Sequence, residues 1–189
     1  MTVRAYNKVT RIWTSTEDGS ELTPPGDWIV NPTFEDEAFA QLIGQTYWTF
    51  NGTIIETPTQ AEYDALILAE AKAQKWEEIK AERDRRQQTG GTFVDPNWFH
   101  SDPVSRQQQM GLVMMQDNMP TGIMWKTMSG SFVEMTPDLA EAIFNGAVLT
   151  DQVAFANAEA HRTALNALTT ANAAANYDFS TGWPAVYTP

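Results

Sequence analysis

The chain has 189 residues, enough for one ordinary domain or two small modules. Twelve basic against 24 acidic side chains give a formal charge of −12 and a pI near 4.4, which argues against a nucleic-acid binder or an anionic-membrane binder. It contains no cysteine, so disulfide scaffolds, thiolate zinc sites and thiol nucleophiles are excluded, and it has no run of roughly 18 apolar residues that would predict a membrane span.

Met1 leads into TVRAYNKVTRIW, which lacks the apolar core of a signal peptide, so a soluble protein made in the cytosol is expected. Residues 1–58 read as extended. Val3, Tyr6, Val9, Ile12 and Trp13 are strand-type residues, and Glu17-Asp18-Gly19 and Pro24-Pro25-Gly26 interrupt them as turns. YWTFNGTIIE predicts two strands around Asn51-Gly52, the dipeptide that favours a type I′ hairpin turn.

TPTQAEYDALILAEAKAQKWEEIKAERDRRQQTGG then predicts a long helix. Thr59 and Glu62 have the spacing of a capping box and Gly90-Gly91 form a stop; the roughly 30 residues between would span about 45 Å. Leu66, Ala73, Trp76 and Ile79 recur at helical spacing. They predict either an oligomer seam, a coiled coil joining copies, or a connector that packs one thin apolar stripe.

Asp102-Pro103, a cap followed by proline at the first helical position, opens a second helix to about Met115. Gly122–Lys126 and Ser131–Met135 flank Met128-Ser129-Gly130 as a hairpin. Thr136-Pro137 repeats the capping device for a short helix through Phe144. Thr150-Asp151 opens an alanine-rich helix to about Asn176, with Val153, Ala156, Ala160, Ala164, Leu168 and Ala171 along one face. The expected fold class is α+β: a β-rich module over 1–58, a helical connector over 59–89, and a helix–hairpin–helix–helix module over 90–189.

Asp95, His100 and Asp102 suggest a metal or proton-transfer site, but Asp102 is accounted for as a cap and Asp95 before Pro96 as a turn starter. No HxH or HExxH spacing accompanies His100, and His161 stands alone in its helix. GxSxG, GxxxxGK[ST] and GxGxxG are absent, Ser129 belongs to a hairpin turn, and nothing in the sequence pairs Glu134 with a second carboxylate. No catalytic residue, metal site or cofactor is expected. Trp98, Phe99, Trp125, Phe132 and Trp183 read as core filling, with sugar-binding platforms as the alternative. Trp98, Phe99 and His100, placed in a loop, form the candidate recognition loop. Met110, Met114 and Met115 read as core filler.

GTFVDPNWFHSDPVSRQQQMGLVMM and IMWKTMSGSFVEMTPDLAEAIFNGAVLTDQVAFANAEAHRTALNAL, through Ser101-Asp102, Ser105, Trp125-Lys126, Gly130, Val133 and Thr136, resemble an uncharacterised domain found near the C-termini of tailed-bacteriophage tail and tail-fibre proteins. The resemblance covers about residues 80–180. The YWTFNGTIIETPTQAEYDAL segment is similar to small phage tail and tail-fibre assembly proteins, and the ending GWP is seen in some of them. The resemblance implies a non-enzymatic structural component of a baseplate, tail fibre or receptor-binding complex, made in the host cytoplasm and carried in the virion. Its implied partners are other phage tail proteins, further copies of itself as a homotrimer, and a bacterial surface receptor. A tail-fibre assembly chaperone is the rival reading, and a host-polysaccharide hydrolase using Asp95, His100 and Glu134 a more distant one.

Overall fold

The computed structural model describes residues 3–17, 22 and 25–189; the turn readings at Asp18-Gly19 and Pro24 lie outside these. The fold is mixed α+β, as expected, and divides into two compact units, Met1–Ile67 and Leu68–Pro189.

In the first unit β1 (Val3–Asn7) lies between β2 (Trp13–Thr16) and β3 (Trp28–Val30), antiparallel to both, with Tyr6 opposite Trp13 on one side and Ile29 on the other. Val9 and Ile12 fall outside these strands and are exposed. The Asn7 side chain accepts from the Val9 and Thr10 amides at 2.9 and 2.7 Å and turns the chain there. A second sheet places β6 (Ile54–Glu56) between β4 (Thr33–Phe34), parallel to it, and β5 (Thr49–Asn51), antiparallel. The β5–β6 hairpin has a register different from the expected one. Asn51 pairs with Ile54, so Gly52-Thr53 is the loop, with Gly52 at φ 60°; glycine at the first central position is the type II′ arrangement. α1 (Glu37–Ile43) is capped by Asp36, whose carboxylate accepts from the Phe39 amide at 2.9 Å. Tyr6, Ala40, Trp48 and Ile55 form the core of this unit, and the buried Trp48 indole donates to the Ala40 carbonyl at 2.9 Å.

The unit boundary falls inside α2 (Gln60–Thr89). The expected capping box is present: the Thr59 amide donates to Glu62 Oε2 at 2.8 Å and the Glu62 amide to Thr59 Oγ1 at 3.3 Å. Residues 68–89 of the helix read as a connector over 59–89 belong to the second unit. Ile79 is fully buried against Ala158, Leu165 and Ala174, with Trp76 packed beside it. The seam is therefore divided: Ile79 and Trp76 are covered by their own chain, while Leu66 and Ala73 are exposed. A helix contact within one chain and a contact between chains need the same periodicity, which is why the spacing alone left both open.

After α2 come the hairpin β7 (Thr92–Val94) and β8 (Asn97–Phe99), then α3 (Pro103–Met115), the hairpin β9 (Met124–Lys126) and β10 (Phe132–Glu134), α4 (Pro137–Asn166) and α5 (Ala171–Ala175). Asp102 and Thr136 cap α3 and α4 as expected. The break expected between Phe144 and Thr150 does not occur. Thr150 Oγ1 bonds back to the Gly146 carbonyl at 2.8 Å, and the Asp151 carboxylate is taken by Arg106 at 2.6 and 2.9 Å. Both caps being engaged elsewhere, Ala140, Ile143, Ala147, Ala154 and Ala158 hold one continuous buried stripe. The helix ends earlier than expected, at Asn166, and Thr170 caps a separate α5.

One core of this unit holds Phe99, Met119, Met135, Ala140 and Ile143; the other holds Ile79, Ala158, Leu165 and Ala174. The C-terminal tail is fastened to α2, with the Tyr187 amide donating to Gly90 O and Arg86 Nη1 to Pro184 O, both at 2.8 Å. Among the described residues no helix is long and apolar enough to cross a membrane.

Candidate functional site

The structure separates the residues of DPNWFHSDP into different jobs. Asp95 sits in the β7–β8 turn. Asp102 Oδ1 accepts from the Val104 and Ser105 amides, both at 3.0 Å, and Oδ2 from the Ser105 hydroxyl at 2.6 Å. The Ser105 hydroxyl, then its amide, hold the Asp102 carboxyl below the usual carboxylate range. Among the described residues no group of three His, Asp or Glu side chains is gathered as a metal-binding set. The recognition-loop reading is corrected for Phe99: Asn97–Phe99 is a strand, and Phe99 is fully buried in the core with Met135 and Ile143. Trp98 is half-buried and packs on Phe93 and Tyr187 at ring-centroid distances of 5.3 and 6.3 Å.

His100 alone of the three opens onto a cleft. Its floor and one wall are the start of α3, with Ser105 and Gln108; the other wall is the β9–β10 hairpin, with Met124, Trp125, Lys126 and Phe132. The volume is about 360 Å³, at the small end of ligand pockets, which run from about 300 to 1,000 Å³. Lys126 and Phe132 are direct cross-strand partners. Phe132 is 60% exposed and Met124 55%, while Trp125 leans inward on the core.

Both walls are held firmly. The Met128 amide donates to Trp98 O at 2.9 Å, tying one hairpin to the other. The hydroxyls of Thr127, Ser129 and Ser131 form a closed triangle of 2.7, 2.9 and 3.1 Å across the β9–β10 turn. On the α3 side the buried Gln109 amide donates to His100 O at 2.9 Å, and Arg106 joins Ser101 O, Gln87 O and Asp151. By contrast the His100 ring, the Gln108 amide and Lys126 Nζ have no hydrogen-bond partner among the described residues. None of the residues lining the cleft is acidic, in a chain with 24 acids. Glu134, on the same strand as Phe132, is turned to the Gly122 amide at 3.0 Å.

His161 has the opposite character. It is buried, with Nε2 3.0 Å from Thr181 O and Nδ1 2.8 Å from the Tyr177 hydroxyl. A carbonyl only accepts, so Nε2 carries the proton and Nδ1 accepts from Tyr177. Burial, then the charge of Asp178, push the Tyr177 phenol up, which keeps that O–H a donor. This histidine fastens the tail. A larger hollow of about 710 Å³ in the first unit is lined by Glu35, Glu56 and Glu62 among others, but Glu56 is bonded by Asn51 and Glu62 by Thr59.

A second exposed feature lies on α3 and α4. Phe144, Val148 and Phe155 recur along α4 on one side of its buried stripe, and Met110 faces Phe144 and Val148 across an apolar hollow of about 290 Å³. The methionines read as core filler are corrected by this: Met110, Met114 and Met115 are 47%, 77% and 45% exposed, because Gln109, Leu112 and Val113 occupy the inward face of α3.

Gln108 and Met124 were not singled out in the sequence, and Lys126 only among the residues that carry the resemblance, not as a site residue. One signal was there for Lys126, the only lysine or arginine between Arg106 and Arg162.

Residues 70–181 match the family described as Domain of unknown function (DUF4376), which is more than half of the chain, and the protein belongs to that family. No curated protein and no solved structure matches the chain.

Proposed function

We propose that this member of the DUF4376 family is a non-enzymatic structural component of a bacteriophage tail end, within a baseplate, tail fibre or receptor-binding complex, and that it works through contacts with other tail proteins. The sequence resemblance over residues 80–180 supports the setting. The observation that carries the mode of action is the apolar face of α3 and α4. Met114 is 77% exposed, Val148 51% and Phe155 49%, although the same helices bury Ala140, Ile143 and Ala147 completely or nearly so. The fold has filled its core and still presents Met110, Phe144 and Val148 around one apolar hollow, with Phe155 further along α4 under the Arg83 guanidinium at 4.6 Å; large exposed apolar side chains grouped in this way mark a protein contact surface.

Because Ile79 and Trp76 are covered within the chain, self-association into a trimer would use this α3–α4 face in place of the α2 stripe. Quantitative mass spectrometry of purified virions of the encoding phage tests the reading. The protein is expected in fixed proportion to the tail proteins, and Val148→Asp with Met114→Asp is expected to leave the circular dichroism spectrum unchanged while removing it from particles. Absence of the wild-type chain from mature particles overturns the proposal.

A further inference from the structure

We propose that the cleft between the β9–β10 hairpin and the first turns of α3 is a binding site for an acidic saccharide, a pyranose that carries a carboxylate. The inference rests on the tail-end reading for where such a ligand comes from, the host surface, and on the cleft itself for its chemistry.

Three observations converge. First, the cleft has an apolar platform. Phe132, 60% exposed, stands directly across the strand pair from Lys126, with Met124 and Trp125 beside it. A pyranose presents one face of C–H groups that lies against an aromatic ring, and its hydroxyls point to the rim. Second, the rim carries unengaged polar groups of both kinds. Gln108 offers a donor and an acceptor, the His100 ring one of each when neutral, and Lys126 three donors. Ser105 gives its proton to Asp102 and so presents lone pairs. Elsewhere in this unit Arg106, Gln109 and Ser101 are tied to backbone or to an ion-pair partner. Third, the electrostatics are local and of the opposite sign to the chain as a whole. The formal charge is −12, yet no carboxylate lines the cleft and its one fixed charge is Lys126. Asp102, behind Ser105, is covered by three donors.

A single cation fits a single carboxylate. A polyphosphate or nucleic-acid backbone would need several, and the surrounding negative charge would repel it. The walls are braced by the hydroxyl triangle and the Asp102 cap, so little ordering accompanies binding, which favours a small ligand.

The probe is methyl galacturonide, one pyranose with one carboxylate, with methyl galactoside as the neutral control, titrated into the full-length protein by isothermal calorimetry and by saturation-transfer NMR. Wild type is expected to bind the uronate and to prefer it over the neutral sugar by at least tenfold. Lys126→Gln should erase that preference while keeping weak binding to both. Phe132→Ala should weaken both sugars at least tenfold. Both side chains are exposed, so unchanged thermal midpoints confirm that fold is intact. No transfer from wild type to either sugar at millimolar concentration overturns the proposal, as does binding that both variants retain at full strength. These failures are separate from failure of the tail-end reading: a protein present in virions and blind to sugars sinks only the cleft, and one absent from virions sinks the tail assignment whatever the cleft binds.

Discussion

Replacing Ile79 by alanine distinguishes a helix packed within its own chain from one that zips copies together. Ile79 is fully buried by Ala158, Leu165 and Ala174 of the same chain. The substitution removes three carbon groups, each contributing about 0.8 kcal/mol of transfer free energy, or roughly 2.4 kcal/mol. A space left half unfilled, at about 24 cal/mol per Å³, adds about 1 kcal/mol. A loss of about 3 kcal/mol is expected, inside the range of about 2–5 kcal/mol found for such truncations. With a urea slope of about 2 kcal/mol/M, the midpoint falls by about 1.5 M. The assay is urea unfolding followed by tryptophan fluorescence at protein concentrations from low to high micromolar. With Val148→Asp and Met114→Asp in place to disable the α3–α4 face, midpoints independent of concentration are expected with and without Ile79→Ala. Ala73→Gln, at an exposed position of the same stripe, should change stability by no more than about 0.5 kcal/mol. A midpoint that climbs with concentration even when Val148→Asp and Met114→Asp disable the α3–α4 face, the mass-action signature of subunits held together by the α2 seam, would refute the intrachain packing. So would an Ile79→Ala cost below about 1 kcal/mol.

Two glycines should respond in opposite directions. Gly91 has φ 81° and a methyl there would collide with the Met128 sulfur, so Gly91→Ala is expected to cost about 2 kcal/mol and lower the thermal midpoint by roughly 5–8 °C. Gly111, inside α3 with nothing near its missing Cβ, should gain up to about 1 kcal/mol as alanine. Glu82 is pulled down to about 2, first by its hydrogen bond to Arg85 and then by Arg86. Its folded value lies below its ordinary 4.5, so its stabilisation is complete above 4.5 and fades as pH falls toward 2; Glu82→Gln should flatten that acid limb in urea midpoints measured between these values. For His161, long-range proton–nitrogen NMR at alkaline pH should show the Nε2–H tautomer. His161→Phe should speed proteolysis around Phe179–Trp183 by freeing Thr181 and Tyr177.

What could be read ahead of the structure was what local chemistry decides. Asp102-Pro103, Thr136-Pro137 and Thr59 with Glu62 cap their helices because a cap and the amides that it satisfies are three residues apart. Thr150-Asp151 has the same local signature and is not a cap, because Asp151 answers Arg106, 45 residues away. Asn51-Gly52 marked the hairpin but not its register, since glycine suits either of two turn types and the choice lies with the pairing of Phe50 to Ile55. β7 and β8 went unread because strands of three residues around Asp95-Pro96 carry too little pattern. The cleft was legible only as single residues. His100 was noticed for its ring, and Trp125 and Phe132 as aromatics, but that Lys126 and Gln108 join them depends on a hairpin meeting a helix.

The location of the cleft follows from an accounting of polar groups. A buried polar group without a partner costs about 1–3 kcal/mol, so a stable unit uses its polar side chains to satisfy backbone, as Ser101 does for Gly91 and His161 for Thr181. Thr92 Oγ1 is the one fully buried side-chain oxygen or nitrogen without a partner among the described residues, close to Gly146 where α4 passes near β7. Lys126, Gln108 and His100 incur no such cost, because they stand at the surface, and they stabilise nothing either. Beside them Phe132 is exposed on a strand face where threonine would serve the sheet as well. The fold thus leaves the exposed Phe132 and the unpaired Lys126 opposite it open to solvent, and that opening is what the proposed acidic saccharide fills.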